Sequence, residues 1–325
     1  MKNISRKLLR LLGSGFSPGG KRGSLTILIY HRVLPQPDSF LKGILDAEHF
    51  DSVLSLLKTY FNVLPLSDAL KLLQEEKLPP RAICITFDDG YADNVEVALP
   101  LLKHHKLSAT FFIATAYLDG GNMWNDIVLE TMRKVPGPEI DLSAAGFGIY
   151  SSRTDQERYL AAETIINKIK YLAPDSRCQV LDRFQEVVGI DVSERLMMTA
   201  EDVRQLHNAG MLIGGHTVSH PILASQDPVD AHREIEEGKQ QLEALINHPV
   251  EYFAYPNGKP GTDYLPNHVQ AVKSSGFKGA VTTAWGAASV EDDPFQLPRF
   301  TPWDRSLNRF MLRLILNYNK KALRA

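Results

Sequence analysis

Short apolar runs alternate with amphipathic helical patterns along most of this 325-residue chain. Each run has the length of a buried strand, and the segments between the runs repeat apolar residues at helical spacing. This alternation predicts an α/β fold with a mostly parallel sheet. The apolar runs cover 25–30, 61–64, 82–87, 109–113, 211–214, 252–255 and 279–282. We therefore expect an irregular (β/α) barrel of about seven strands.

One long segment interrupts the alternation. Residues 118–198, approximately, carry helical patterns without a convincing strand, and the strand pattern resumes after them. We expect a helical insertion after the fourth strand, close to the face where barrel enzymes carry their active residues, where it could act as a lid or cap. The expected organisation is a basic segment over 1–24, the barrel with its insertion over 25–304, and a basic amphipathic helix over 305–325.

The composition excludes several classes of protein. Apolar residues make up 44% of the chain and charged residues 23%, which suits a globular protein with a large core. The net charge of −2 predicts no nucleic-acid partner. Cys84 and Cys178 are the two cysteines, so neither a disulfide framework nor a cysteine zinc site is expected.

Both ends of the chain are basic. In residues 1–24 the longest uninterrupted apolar run is two residues, which is too short for a secretory signal and predicts a cytoplasmic location. After Asp304 the chain has no acidic residue, and one helical face would carry Leu307, Phe310, Met311, Leu314 and Ile315. Such ends favour either peripheral contact with the inner face of the membrane or a terminal helix packed on the barrel with solvated basic residues.

Three polar groups each follow an apolar run directly. They are Thr86-Phe87-Asp88-Asp89-Gly90, Gly214-Gly215-His216-Thr217-Val218-Ser219-His220 and Tyr30-His31-Arg32. In a parallel barrel the carboxyl ends of the strands meet on one face, so these side chains are expected to converge.

The histidine and aspartate groups together indicate a metal site. The spacing of His216 and His220 puts both rings on one side of a helical turn, where two imidazoles and one carboxylate suit zinc or another divalent metal. One of the paired aspartates would then bind the metal, and its neighbour would be free to act as a general base. The alternative is that Asp88-Asp89-Gly90 is ordinary turn composition.

The same two motifs resemble the signatures of the polysaccharide deacetylase superfamily, the NodB-type domain of carbohydrate esterase family four. The resemblance covers roughly residues 25–300. It implies that Asp88 is the catalytic base, and that Asp89, His216 and His220 bind a divalent metal, with zinc as the expected ion.

Two departures from the common family pattern bear on the catalytic acid. Ala254 stands where the third motif of the family has an arginine, and no histidine occurs after His268. The segment Leu28-Ile29-Tyr30-His31 is instead similar to the branch that deacetylates poly-N-acetylglucosamine, in which the barrel is circularly permuted. That resemblance implies His31 as the acid. Separately from the resemblance, Arg299 in Leu297-Pro298-Arg299 could supply the missing positive charge.

Further residues are candidates for substrate binding. They are Tyr91, Trp124, Tyr255, Asn257 and Arg299. Tyr91 follows the acid pair and could line the pocket. Trp124 could stack on a sugar ring or anchor the core of the insertion, and Trp303 poses the same choice. A backbone N–H near Tyr255–Asn257 could stabilise an oxyanion.

The function implied by the resemblance is removal of an N-acetyl group from an amino sugar of a surface polysaccharide or its lipid-linked precursor. The partner would be a glycan substrate. Two alternatives stay open: a deformylase or O-deacetylase with the same machinery, and a non-catalytic glycan-binding protein. A phosphoryl-transfer function is disfavoured because no glycine-rich phosphate loop accompanies Asp88 and Asp89.

Overall fold

The computed structural model describes residues 13–192 and 195–320. The strands are β1 (Leu25–Tyr30), β2 (Val33–Leu34), β3 (Leu45–Asp46), β4 (Asn62–Val63), β5 (Ala82–Phe87), β6 (Thr110–Ile113), β7 (Glu139–Asp141), β8 (Ile149–Ser151), β9 (Leu212–Gly215), β10 (Tyr252–Ala254), β11 (Gly279–Trp285) and β12 (Leu297–Arg299). The helices are α1 (Ala47–Tyr60), α2 (Leu66–Gln74), α3 (Leu99–His105), α4 (Trp124–Lys134), α5 (Asp155–Ile169), α6 (Pro174–Val188), α7 (Ala200–Asn208), α8 (Pro228–Ile246), α9 (Pro266–Ser274) and α10 (Leu307–Asn317).

Parallel strands form a nearly closed barrel. Their order is β1-β5-β6-β9-β10-β11-β12, and β4 pairs beside the first half of β5. Phe300, directly after β12, returns to β1: its N–H donates to the Ile27 carbonyl at 2.8 Å, and the Ile29 N–H donates to the Phe300 carbonyl at 3.1 Å. The predicted α/β barrel is confirmed, because helices surround a sheet whose two edges meet.

The apolar character of the strands explains why they lie in the barrel wall. Every residue of β1 and of β5 is buried, which is the burial expected of strands covered on both faces. Between the barrel wall and its helices the rings of Phe87 and Phe111 stack with centroids 4.9 Å apart, and Phe50 of α1 meets Phe87 edge-on from 5.8 Å. These contacts hold β5 and β6 where the acid motif begins.

One barrel strand was missed by the sequence prediction. Strand β12 has three residues, and its central residue, Pro298, cannot donate a ladder hydrogen bond. Its position depends on β11, with Val281 paired to Leu297 and Trp285 paired to Arg299. A run this short becomes a strand only through a partner that is remote in sequence.

The segment between β6 and β9 contains helices α4, α5 and α6 and a small antiparallel hairpin of β7 and β8. The expectation that this segment has no strand is therefore wrong. Each hairpin strand has three residues, of which only the central one is half-buried. Three residues are too few to show the alternation of apolar and polar side chains by which a strand is predicted from sequence. The helices share a hydrophobic cluster of their own, which includes Val128, Met132, Ile165 and Phe184.

Helix α10 packs on the barrel through one face. Phe310, Met311 and Leu314 are buried in the main core, whereas Leu312 and Leu316 are exposed on the opposite side. No helix within 13–192 and 195–320 is long and apolar enough to cross a membrane. The first half of the predicted basic segment over 1–24, residues 1–12, lies outside the described residues.

Candidate active site

A cavity of about 520 Å³ opens at the carboxyl ends of the barrel strands. Its lining includes His31, Asp88, Asp89, Tyr91, His216 and His220, which follow β1, β5 and β9. The three polar motifs therefore converge on one face, as the order of strand and motif predicted. The volume lies in the range that is usual for small-molecule sites.

Asp89, His216 and His220 form a compact donor set. The Oδ1 atom of Asp89 lies 3.3 Å from Nε2 of His216 and 3.3 Å from Nε2 of His220, and the three ligand atoms lie within 4.8 Å of one another. Asp89 Oδ1 is buried and has no hydrogen-bond partner within the described residues. A buried carboxylate oxygen without a donor is costly, and a cation at this point would satisfy it. Nitrogen and carboxylate donors at these distances suit a divalent metal such as zinc.

The two histidines differ in what sets the orientation and the charge of their rings. Nδ1–H of His216 donates to the Ala254 carbonyl at 2.7 Å, which leaves Nε2 as the ring atom that faces Asp89. Burial lowers the pKa of His220 to about 4, which keeps its imidazole neutral, the form that binds metals. Burial opposes the charge on Asp89, but the two neighbouring histidines hold its pKa well below the ordinary value.

The backbone between the histidines is a loop and not a helical turn, which corrects the expected geometry. Thr217 and His220 both adopt left-handed backbone, with φ of 65° and 54°. The loop nevertheless brings the two rings to a centroid distance of 4.7 Å. Such backbone is unfavourable for residues with a Cβ and persists where surrounding contacts enforce it.

Glu234 of α8 supplies those contacts. Its Oε2 atom accepts from the N–H groups of Val218 at 2.9 Å and Ser219 at 2.8 Å, and its Oε1 atom accepts from the Ser219 hydroxyl at 2.7 Å. One carboxylate thus satisfies three donors of the loop. Sequence reasoning missed Glu234 because an acid in a long amphipathic helix is indistinguishable from an ordinary solvated residue.

Asp88 is held by Arg299 in a bidentate ion pair. Nη1 of Arg299 donates to Oδ1 at 2.7 Å and Nη2 donates to Oδ2 at 2.6 Å, with both side chains buried. Further donation to Thr86 Oγ1 and to the Thr282 carbonyl fixes the guanidinium. Although burial favours the protonated acid, Arg299 lowers the pKa of Asp88 below its ordinary value. The expected positive charge is present, but Arg299 is enclosed behind Asp88, so its expected role in substrate binding is corrected to positioning that carboxylate.

His31 lies in the cavity lining with its side chain exposed to solvent. Its charge is among those that lower the pKa of Asp88 and of Asp89, which places the ring within electrostatic reach of both. Asn94 fixes the backbone at this point, since its amide donates to the His31 carbonyl at 2.8 Å. The imidazole of His31 is therefore accessible to a substrate that enters the cavity from solvent.

Two of the predicted substrate-binding residues reach the cavity. Tyr91 is buried in its wall, and Asn257 lines it with a left-handed backbone at φ 58°. The Tyr91 hydroxyl lies 3.0 Å and 3.1 Å from the two carboxyl oxygens of Asp126.

The other two predicted aromatic contacts are corrected by the structure. Tyr255 is fully buried: it stacks on Tyr264 with centroids 4.0 Å apart, and its N–H donates to the Val281 carbonyl, so neither group is available to a ligand. Trp124 packs against the cluster of the helical segment, with the Arg177 guanidinium 4.8 Å over its ring. Trp124 is thus an anchor within that segment.

Asp126 is a cavity residue that sequence reasoning missed. It projects from the first turn of α4, where an acid is ordinary because of the helix dipole. In the structure it is buried, and burial raises the pKa of its carboxyl to about 7. Through Asp126, the segment between β6 and β9 contributes one wall of the cavity.

Comparison with known proteins agrees with this geometry. A family model described as polysaccharide deacetylase matches residues 75–162 and 180–280. The putative polysaccharide deacetylase YxkH of Bacillus subtilis is 21% identical over 281 residues, which cover 86% of this chain and 71% of that relative. Poly-beta-1,6-N-acetyl-D-glucosamine N-deacetylase of Staphylococcus aureus is 30% identical over 120 residues, a match that spans 32% of this chain and 41% of that relative.

Solved structures share the fold. The deacetylase PplD of Streptococcus pyogenes, in complex with acetate, aligns with a TM-score of 0.61 at 19% identity, over 90% of this chain and 98% of that chain. IcaB of Ammonifex degensii aligns with a TM-score of 0.57 at 18% identity, over 92% of this chain and 98% of that chain. Because the family model matches more than half of the sequence, the chain belongs to the polysaccharide deacetylase family.

Proposed function

We propose that the protein is a metal-dependent hydrolase that removes an N-acetyl group from an amino sugar of a surface polysaccharide or of its lipid-linked precursor. One observation carries the proposal. The donor set of Asp89, His216 and His220 lines the same cavity as the ionised Asp88 and the accessible His31. A nucleophile, its base and a proton donor can therefore act on one amide bond.

Asp89 Oδ1 and the Nε2 atoms of His216 and His220 would hold the metal, and zinc suits this donor set. A bound divalent metal would polarise the attacking water and the acyl oxygen. Glu234 keeps the histidine loop in its left-handed conformation through three hydrogen bonds, which maintains both rings in a position to coordinate.

Proton transfer falls to Asp88 and His31. Asp88 accepts the proton of the attacking water, and its pairing with Arg299 keeps it ionised and fixes its orientation. His31 then donates a proton to the leaving nitrogen. This second transfer is essential because an unprotonated amide nitrogen would leave as a very unstable anion.

The names of similar proteins support the choice of an acetylated amino sugar. The Staphylococcus aureus relative is named for poly-beta-1,6-N-acetyl-D-glucosamine, and the PplD structure contains acetate. A formyl amide or an O-acetyl ester would fit the same residues, and a glycan-binding protein without activity would need neither an ionised Asp88 nor an accessible His31. We also propose a location at the inner face of the membrane, which the exposed basic residues of α10, such as Arg309, support.

Acetate release tests the proposal. We expect the purified full chain to release acetate from N-acetylglucosamine oligomers or from lipid-linked N-acetylated sugars, to lose this activity with a chelator, and to regain it with Zn²⁺. Asp88→Asn and His31→Ala should each lower kcat by at least about a hundredfold, the range for loss of a general base or acid. His232→Ala, at a partly exposed site on α8, is the matched control and should keep full activity. Equal turnover in all variants would refute the assigned roles.

A further inference from the structure

Two exposed tryptophans lie side by side, and one of them, Trp303, belongs to the cavity wall. The side chain of Trp303 is 55% exposed and belongs to the cavity wall with Thr301 and Pro302, and the side chain of Trp285 beside it is 36% exposed. Large aromatic side chains are seldom left in water without a ligand or partner to cover them, and an exposed apolar patch beside a cleft typically marks a binding surface.

The Trp303 ring is held rigidly from one side. The guanidinium carbon of Arg313 lies 3.9 Å from the Trp303 ring centroid, 4.9 Å from that of Trp285 and 4.8 Å from that of Phe300. Arg313 is itself held by an ion pair with buried Asp304. A ring fixed in this way loses little conformational freedom when a ligand stacks on it, which favours binding.

The two rings differ in accessibility. The indoles of Trp285 and Trp303 lie 5.2 Å apart between centroids, and Lys320 Nζ approaches the Trp285 ring centroid to 3.7 Å. The Trp285 ring is therefore in contact with the cationic groups of Arg313 and Lys320, and it packs beside Trp303. Trp303 meets Arg313 and still leaves more than half of its surface open, so it is the ring that a ligand can cover.

We propose that Trp303, backed by Trp285, is a stacking platform for the pyranose ring that adjoins the sugar undergoing deacetylation. The proposal rests on the proposed function and extends it, because it makes an oligosaccharide of at least two sugars the preferred substrate. The weakly positive C–H groups on one face of a pyranose complement the negative face of an indole. The wall position of Trp303 places such a neighbouring sugar beside the cavity that holds Asp88 and His31.

A lipid surface is the competing occupant. Leu312 and Leu316 of α10 are 45% and 55% exposed, and apolar side chains with nearby basic residues also suit a membrane interface. The sugar is favoured for Trp303 because its ring forms part of the cavity wall and is packed on Arg313, whereas Leu312 and Leu316 lie outside the cavity lining.

Binding to the chelator-treated full chain tests the platform without turnover. The probes are a β-1,6-linked N-acetylglucosamine pentamer and the N-acetylglucosamine monomer, titrated by calorimetry. We expect Trp303→Ala to weaken pentamer binding by about tenfold, and to affect the monomer less, because an aromatic stacking contact contributes on this scale. Trp303→Phe should retain most of the affinity. The matched control is Leu316→Ala, which removes an equally exposed apolar side chain outside the cavity and should bind like the unaltered chain.

Equal pentamer affinity in Trp303→Ala and in the unaltered chain would overturn the platform. Trp303 fluorescence gives a second test, because the emission of this residue is the part that Trp303→Phe removes. Quenching of that emission by vesicles of phosphatidylglycerol and phosphatidylethanolamine, but not by the pentamer, would also overturn the platform. Failure of the proposed function looks different: pentamer binding would depend on Trp303, yet the metal-loaded chain would release no acetate. If Trp303→Ala released acetate with an unchanged KM for the pentamer, the platform proposal would be refuted while the proposed function would stand.

Discussion

At the scale of single residues, the paired acids Asp88 and Asp89 have different environments although they are adjacent. Asp88 receives two hydrogen bonds from Arg299, whereas Asp89 Oδ1 faces the histidines and accepts none. The left-handed backbone of Asp89, at φ 78°, turns its carboxylate away from that of its neighbour. The proposed division of roles, with Asp88 as base and Asp89 as metal ligand, would thus have a local conformational cause.

Removal of the Arg299 charge should be severely destabilising. In Arg299→Gln the buried carboxylate of Asp88 loses its counter-ion, and we expect the free energy of unfolding to fall by about 3–5 kcal/mol. Urea unfolding measures this change. In an Asp88→Asn background the same substitution should cost clearly less, since no buried charge is stranded. If Arg299→Gln lowered the free energy of unfolding by less than about 1 kcal/mol in the chain that keeps Asp88, the ion pair would contribute little to stability.

At the scale of elements, α8 acts on the histidine loop through close contact. A Cβ atom on Gly238 would lie 2.8 Å from the backbone carbon of Thr217, so only glycine permits this approach of helix and loop. One helical turn earlier, Glu234 binds the loop donors. The geometry of the proposed metal site therefore depends on a helix that supplies none of its candidate ligands.

Glu234→Gln should weaken metal binding without removing a ligand. The amide keeps one acceptor oxygen but presents N–H donors to a loop that also donates, so the positions of His216 and His220 become less defined. We expect Zn²⁺ affinity to drop by about 10–100-fold, as for other residues that orient ligands. Competition with a chelating dye measures this affinity.

Glu236→Gln is the control, because this half-exposed acid on the same helix contacts His232 at 3.5 Å and lies away from the loop. Its Zn²⁺ affinity should equal that of the unaltered chain. If both variants bound Zn²⁺ alike, Glu234 would have no positioning role.

At the scale of the whole molecule, α10 completes the core where the barrel closes. Phe310 packs near Phe300, with centroids 6.4 Å apart, and Asn317 donates to the Gly286 carbonyl at 3.0 Å. The helix thus covers Phe300, the residue through which β12 closes the barrel onto β1. Trp303 follows shortly after Phe300 in the chain.

Phe310→Ala should destabilise the whole barrel by about 3–5 kcal/mol, because it leaves a cavity in the main core. Leu312→Ala, on the exposed side of the same helix, should change the free energy of unfolding by less than about 0.5 kcal/mol. Urea unfolding of the two variants side by side measures the difference. Similar values for both would mean that α10 does not contribute its buried face to barrel stability.

The barrel class and the convergence of His31, Asp88 and His216 followed from the sequence alone, because apolar periodicity specifies strands and parallel strands place the residues after them on one face. The tertiary structure decided the remaining contacts. Asp88 and Arg299 are separated by 211 residues, and nothing local marks them as partners. Contacts of this kind, like the burial of Tyr255 and the exposure of Trp303, depend on how distant elements pack, which no local pattern of residues encodes.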